Sequence, residues 1–117
     1  MSRPRAKPSL HLRLDFGDER SLGPGKVRLL ELIDETGSIS AAGRALKMSY
    51  RQAWLLIDEL NRMFREPLVT SQIGGGGGGG AALTKAGANV IRLYRDMEQR
   101  ANGASSTDVR ALIKLLA

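Results

Sequence analysis

Residues 37–54 read Gly37-Ser38-Ile39-Ser40-Ala41-Ala42-Gly43-Arg44-Ala45-Leu46-Lys47-Met48-Ser49-Tyr50-Arg51-Gln52-Ala53-Trp54, and the fold turns on them. Two helix starts lie within this stretch. Ser40 is placed to cap a short helix in which Ala42, Ala45 and Leu46 recur at helical spacing, because a serine hydroxyl accepts from a backbone N–H that the first turn leaves unpaired. Ser49 and Gln52 stand three residues apart as a capping box. Ala53, Trp54, Ile57, Leu60, Asn61 and Phe64 then follow at i, i+3, i+4, i+7 spacing. A turn of about three residues separates the two helices, which is the spacing of a helix-turn-helix.

Downstream, Leu68-Val69-Thr70-Ser71-Gln72-Ile73 alternates as a strand, Gly74 to Gly80 form an uninterrupted glycine loop, and Ala81-Ala82-Leu83 reads as a short return strand. Thr84 caps a further helix with Val90, Ile91, Tyr94, Met97 and Ala101 at helical spacing, and Asn102-Gly103 supplies a stop. Ser106-Thr107-Asp108 starts a last helix with Val109, Leu112, Ile113, Leu115 and Leu116, too apolar to be left bare. Upstream, Leu10, Leu12, Leu14 and Phe16 share one face of a half-buried strand that Gly17 ends. A turn-rich stretch through Gly23-Pro24-Gly25 leads into a helix over 26–36. That helix is apolar around much of its girth and hence central or at a dimer contact. The expected organisation is a flexible basic arm (1–8), a winged helix-turn-helix domain (9–101), and a C-terminal dimerisation helix (102–117). The class is mainly α with a small β component.

Composition narrows the function. The 117 residues suit one domain, and 18 Lys and Arg against 12 Asp and Glu give a net charge of +6, which favours polyanionic partners. There is no cysteine and a single histidine, His11. Thiolate chemistry, disulfides and His-rich metal sites are therefore absent, no nucleophile–base constellation is present, and no enzyme, metal or cofactor is expected. With neither a signal-like apolar region nor a run long enough to span a membrane, the expectation is a soluble cytoplasmic protein without membrane partners.

Charge is also segregated along the chain. Between Thr36 and Ile57 the only charges are Arg44, Lys47 and Arg51, and between Pro67 and Arg95 only Lys85 and Arg92. Acids gather elsewhere, at Asp15 to Glu19, Glu31 to Glu35, Asp58-Glu59, and Asp96 with Glu98. A polyanion-binding face needs such segregation, since every misplaced carboxylate opposes the gain from counterion release. A few bases scattered on solvated helices is the competing reading of the same pattern.

Gly37-Ser38-Ile39-Ser40-Ala41-Ala42, Met48-Ser49-Tyr50-Arg51-Gln52-Ala53-Trp54, Asn61, Leu68-Val69, the glycine run and Leu83-Thr84-Lys85-Ala86-Gly87 together resemble the N-terminal winged-helix domain of the molybdate-responsive ModE regulators. LysR-type regulators share the shorter start and end motifs. The resemblance covers roughly residues 9–101. It implies a DNA-binding dimer. In the ModE family a separate C-terminal module binds the oxyanion, and the residues beyond 101 are too few for one, so an effector is expected, if anywhere, on a separate protein.

In a helix-turn-helix the N-terminal residues of the second helix reach base edges. Ser49, Tyr50, Arg51 and Gln52 therefore face the groove, with Leu55 one turn on. Arg51 is the foremost candidate for direct readout, its guanidinium fork matching two guanine acceptors. Gln52 can read adenine or serve the capping box, the cap being preferred. Ser49 is a cap that can also face phosphate, and Tyr50 contacts DNA or packs between the helices. Arg44 and Lys47 are assigned to phosphates, with Ser38 and Ser40 as helix-start residues and secondary phosphate ligands. The glycine run is a wing tip whose backbone N–H groups at Gly76 and Gly77 approach DNA, or else a floppy linker. Thr70, Ser71, Gln72 and Lys85 flank that tip. Trp54 is assigned to the core. Asp58-Glu59 and His11 are read as ordinary solvated groups.

The leading expectation is a homodimeric regulator that binds double-stranded DNA at a pseudo-palindromic site. Its dimer contacts would come from helix 26–36, the helix from 84 and the C-terminal helix. The alternative is a winged-helix protein-interaction module without DNA contact.

Overall fold

The computed structural model describes residues 7–74 and 78–117. Arg3 and Arg5 of the basic arm, and the glycines Gly76 and Gly77, lie outside the described residues. The elements run β1 (Leu14–Gly17), β2 (Arg20–Leu22), α1 (Pro24–Thr36), α2 (Ile39–Ala45), α3 (Tyr50–Met63), β3 (Val69–Gly74), β4 (Gly78–Leu83), α4 (Lys85–Ala104) and α5 (Ser106–Lys114). This is a mainly α winged helix-turn-helix with two two-stranded antiparallel hairpins, β1–β2 and β3–β4.

The core is built on α1. Val27, Leu29, Leu30, Leu32 and Ile33 are all buried, and they meet Ala42 of α2, Ala53, Ile57 and Leu60 of α3, Leu68 and Val69 at the start of β3, and Tyr94 of α4. The apolar girth of α1 is thus consumed inside the chain. Of the two places the sequence allowed this helix, central or at a dimer contact, the burial of these side chains meets the central one. Gly37 ends α1 in the left-handed conformation (φ 70°), with its N–H donating to the Ile33 carbonyl at 2.7 Å. The Gly37 carbonyl accepts from the Ala81 N–H at 2.9 Å, which ties the wing to the root of the helix-turn-helix.

Several features differ from the sequence expectation: α1 begins at Pro24 rather than at 26, and Gly74 and Gly78 to Gly80, expected in the loop, pair as the ends of β3 and β4. The N-terminal strand begins at Leu14 rather than Leu10, since the backbone of residues 10–12 is held by side chains of α4 instead of a strand partner. Asn102 both accepts from the Leu10 N–H (2.7 Å) and donates to the Leu10 carbonyl (3.1 Å), and the Tyr94 hydroxyl donates to the Leu12 carbonyl at 2.6 Å. Phe16, expected on the buried face, is exposed: the register shifts between Asp15 and Gly17, and its ring stands edge-on to Phe64 with centroids 6.3 Å apart. Finally, Asn102-Gly103 does not stop α4, which continues to Ala104 with Asn102 turned toward residue 10.

A charged seam joins α1 and α4. Arg95 donates to both carboxylate oxygens of Glu31 (2.8 and 3.1 Å) and to Glu98 Oε1 (2.8 Å). The Arg95 guanidinium holds the Glu31 carboxyl below its usual range, and Glu31 in turn pushes the Arg95 guanidinium above its own. Burial, with the Glu98 charge adding to it, raises the Tyr94 phenol.

Candidate nucleic-acid interface

The two helices of the central motif meet at closest approach through Gly43 and Ala53. A Cβ at Gly43 would stand 3.0 Å from that of Ala53, so a larger residue at either position would push the helices apart. Ser38, not Ser40, is the N-cap of α2, its hydroxyl accepting from the Ala41 N–H at 3.0 Å. The shift corrects the placement of the cap and frees Ser40, whose Oγ accepts instead from the Arg44 guanidinium at 3.0 Å. The turn between α2 and α3 passes through Lys47 in the left-handed region (φ 59°), and the carbonyl of Gly43 accepts from the Leu46 and Met48 N–H groups.

The capping box of α3 forms as expected. Ser49 Oγ accepts from the Gln52 N–H, and Gln52 Oε1 accepts from the Ser49 N–H, both at 3.1 Å. Gln52 is thereby committed to the helix end. Arg51 and Leu55 are exposed on the outer face, away from Ala53, Ile57 and Leu60, and Tyr50, also exposed, stands at the first turn on the side of Trp54. Trp54 corrects the sequence reading: it is 47% exposed, not core. One residue past Ala53 it is rotated about 100° off the buried line, and it lies in the cleft between α3 and the wing with Ser71.

The wing stands on a hydrogen-bonded base. Asn61 Oδ1 accepts from the Leu68 and Val69 N–H groups (2.8 and 3.1 Å), and its amide donates to the Val69 carbonyl at 3.0 Å. Thr84 caps α4 by accepting from the Gly87 N–H at 3.0 Å and donates to the Pro67 carbonyl at 2.7 Å. A Cβ on Gly87 would lie 2.3 Å from the Leu68 carbonyl oxygen, so only glycine fits there. Sequence reasoning placed Asn61 on the apolar stripe and missed this clamp; an amide at a core-spaced position was the available signal. Thr70, Ser71 and Gln72 are exposed on β3, paired with Ala82, Ala81 and Gly80. Lys85 is exposed at the hairpin's base, in the groove of Phe64, Arg65 and Glu66, rather than beside the tip as expected. The length of β4 separates it from Gly78.

The electrostatics divide the molecule. Lys26 pairs with Glu59, Arg28 with Glu31 and Glu35, Arg62 with Asp58, Arg92 with Asp96, and Arg95 with Glu31 and Glu98. Among the described residues Arg44, Lys47 and Arg51 have no carboxylate within ion-pair distance. The acids on the second half of α3 are neutralised locally, leaving its first turns positive.

A sequence model of the bacterial regulatory helix-turn-helix proteins of the lysR family matches residues 25–88. The chain belongs to that family. Its match spans α1 through the start of α4, the segment that holds the helix-turn-helix and wing. Within curated proteins, this lysR-family chain is 33% identical over 116 residues to the molybdenum transport protein ModE of Azotobacter vinelandii, covering 90% of this chain and 43% of the relative. It is 44% identical over 77 residues to the molybdenum-pterin-binding protein MopB of Rhodobacter capsulatus, with 66% and 28% covered. Against the DNA-binding transcriptional dual regulator ModE of Escherichia coli K12 the identity is 39% over 88 residues, with 73% and 34% covered. The motif resemblance to ModE regulators is thus met by whole-segment similarity. The chain spans less than half the length of these curated relatives. Among solved structures, the CbnR_DBD–DNA complex aligns with a TM-score of 0.55 at 22% identity, covering 75% of this chain and 94% of that one. ArgP of Mycobacterium tuberculosis aligns at 0.51 and 20%, covering 78% and 30%. Both likenesses concern the fold.

Proposed function

We propose that this chain binds double-stranded DNA sequence-specifically, as a homodimer, and acts in transcriptional regulation. One observation supports the reading above the others: among the described residues the bases of the helix-turn-helix lack carboxylate partners, while those of α1, the second half of α3 and the middle of α4 have them. An unpaired cluster is the arrangement that gains most from displacing counterions off a duplex. Arg51 reads a base edge, and Arg44, Lys47, Ser38 and Ser40 hold phosphates. Tyr50 and Leu55 line the groove, and Ser49 and Gln52 fix the helix end. Thr70, Ser71, Gln72 and the glycine wing, including Gly76 and Gly77, follow the backbone. Lys85 lies at the edge of the footprint.

Homodimerisation draws on α4 and α5. No residue of α5 is buried, and Leu112, Leu115 and Leu116 are 62, 80 and 74% exposed, with Leu93 of α4 also exposed. A leucine-rich surface of that kind is costly in water and suits a second copy. Two-fold symmetry then demands paired half-sites about one or two helical turns apart.

Selection of ligands from a random duplex pool, followed by anisotropy titration of the selected site, tests the reading. Enrichment of a two-fold symmetric site, with affinity falling steeply as salt rises, supports it. A flat salt dependence or equal affinity for every duplex overturns the reading of a sequence-specific regulator.

A further inference from the structure

We propose that Trp54 is a DNA-backbone contact: the cleft between α3 and the wing seats one phosphate, and the indole N–H donates to it. The inference deepens the DNA-binding reading and rests on it. The end of the cleft nearest α2 is a depression of about 140 Å³ whose polar wall is made by Ser38, Ser40, Tyr50, Trp54 and Ser71, with no carboxylate among its lining residues; Asp58 lines the adjoining end, where Arg62 pairs with it. Ser38 Oγ and Ser40 Oγ accept hydrogen bonds from within α2, which leaves each hydroxyl proton free to donate outward. No acceptor among the described residues takes the Trp54 indole N–H or the Tyr50 hydroxyl proton. Every polar side chain at that end of the cleft can therefore donate, and the indole can do nothing else.

An acceptor-only anion is the occupant that such a wall fits, and its position selects the source. The cleft opens between the first turns of α3 and the wing, and Arg44 reaches its edge through Ser40 Oγ at 3.0 Å, where a strand flanking the groove would pass. The rings of Trp54 and Tyr50, 47 and 59% exposed, supply flat apolar surface for the deoxyribose next to that phosphate. Gly80 forms the wing wall without a side chain, its would-be Cβ already 3.3 Å from the Gly37 carbonyl oxygen, so the backbone can come close. Stacking on a base is the poorer use of this tryptophan, because it requires a base to leave the duplex.

The chain contains one tryptophan, so its intrinsic fluorescence reports on Trp54 alone. Acrylamide quenching of the full chain, free and saturated with a duplex whose binding is followed separately by anisotropy, should fall about two-fold in the complex as the ring is covered. Trp54→Phe keeps a ring and removes the donor. It should weaken binding roughly ten-fold on selected and random duplexes alike, at unchanged Tm and unchanged salt slope, because a neutral donor releases no counterion. Unchanged quenching in a verified complex, or a Phe variant that binds as tightly as wild type, overturns the proposal while leaving DNA binding intact. A loss confined to the selected site overturns it in favour of a base-edge contact, and one that follows a lowered Tm overturns it in favour of a scaffold role. Failure of the wild-type chain to bind any duplex removes the DNA-binding reading itself, and this inference with it.

Discussion

Arginine does opposite work at two ends of this molecule. Arg95, between α1 and α4, is enclosed by Glu31 and Glu98, and its charge is spent on holding two helices together. Arg51 and Arg44, on the helix-turn-helix, meet no carboxylate among the described residues, and their charge faces outward. The net charge of +6 is the balance left after the scaffold neutralises part of its own bases. On the helix-turn-helix that balance is a cluster, Arg44, Lys47 and Arg51, with no acid among the described residues paired to it. A paired arginine stabilises the fold and is invisible to a polyanion; an unpaired one is the reverse.

The sharpest way to break this comparison is to remove each class and measure both properties. Replacing Arg44, Lys47 and Arg51 together by alanine should cost about 3–5 kcal/mol of duplex affinity, combining one base contact and two phosphate contacts. The salt slope should flatten, while the Tm stays within a degree or two because none of the three side chains packs in the core. Equal affinity for the triple variant and wild type would place the DNA face elsewhere.

The opposite result is expected at the seam. Arg95→Ala should lower unfolding free energy by about 2 kcal/mol, less than a fully buried pair because the guanidinium is partly solvated, and leave the affinity of the folded protein unchanged. Denaturant melts and anisotropy on the same sample check both halves. A stability loss below about 0.5 kcal/mol would show that the seam is an ordinary surface pair.

The two regions also differ in how far they could be read from sequence. The helix-turn-helix was legible because its signals are local: a capping box, helical spacing and a run free of acids each lie within a few residues. The seam was not, because Glu31 and Arg95 belong to different helices and their pairing depends on how α4 crosses α1. The β1–β2 hairpin was missed for another reason. Its turn places Asp18 and Glu19 at φ 53° and 61°, the geometry normally announced by Asn-Gly, with neither residue present. Trp54 was misplaced because its spacing allows both edges of the apolar stripe; only the position of the wing decides that it faces the cleft. Ser38 displaced Ser40 as the cap because two serines stand close enough to serve, and Gly37 ends α1 immediately before Ser38.

Ser49 allows a finer cut, since it sits on the outward face yet belongs to the scaffold through its cap. Ser49→Ala should destabilise the fold by about 1 kcal/mol. Ser49→Asp keeps an acceptor for the Gln52 N–H and should hold stability near wild type, while placing a negative charge at the proposed groove. Its duplex affinity should fall by about ten-fold. An Asp variant that binds as well as wild type would make Ser49 a cap alone and move the groove-facing edge along α3 toward Arg51 and Leu55.

The smallest expected effect is the pH dependence of the seam. The Arg95 guanidinium holds Glu31 below its ordinary value of 4.5 in the folded state. A group so depressed contributes stability that is fully present above its unfolded pKa and is lost as pH falls through the folded value. Between pH 6 and 3, wild type should therefore lose part of its margin while Arg95→Ala, in which Glu31 keeps only its longer pairing with Arg28, follows a flatter course. The gap between the two should narrow by somewhat under 1 kcal/mol. Parallel curves would mean that packing of the Arg95 stem, and not its charge, holds α4 on α1, so that the contrast with the helix-turn-helix would be one of contact rather than of spent and unspent charge.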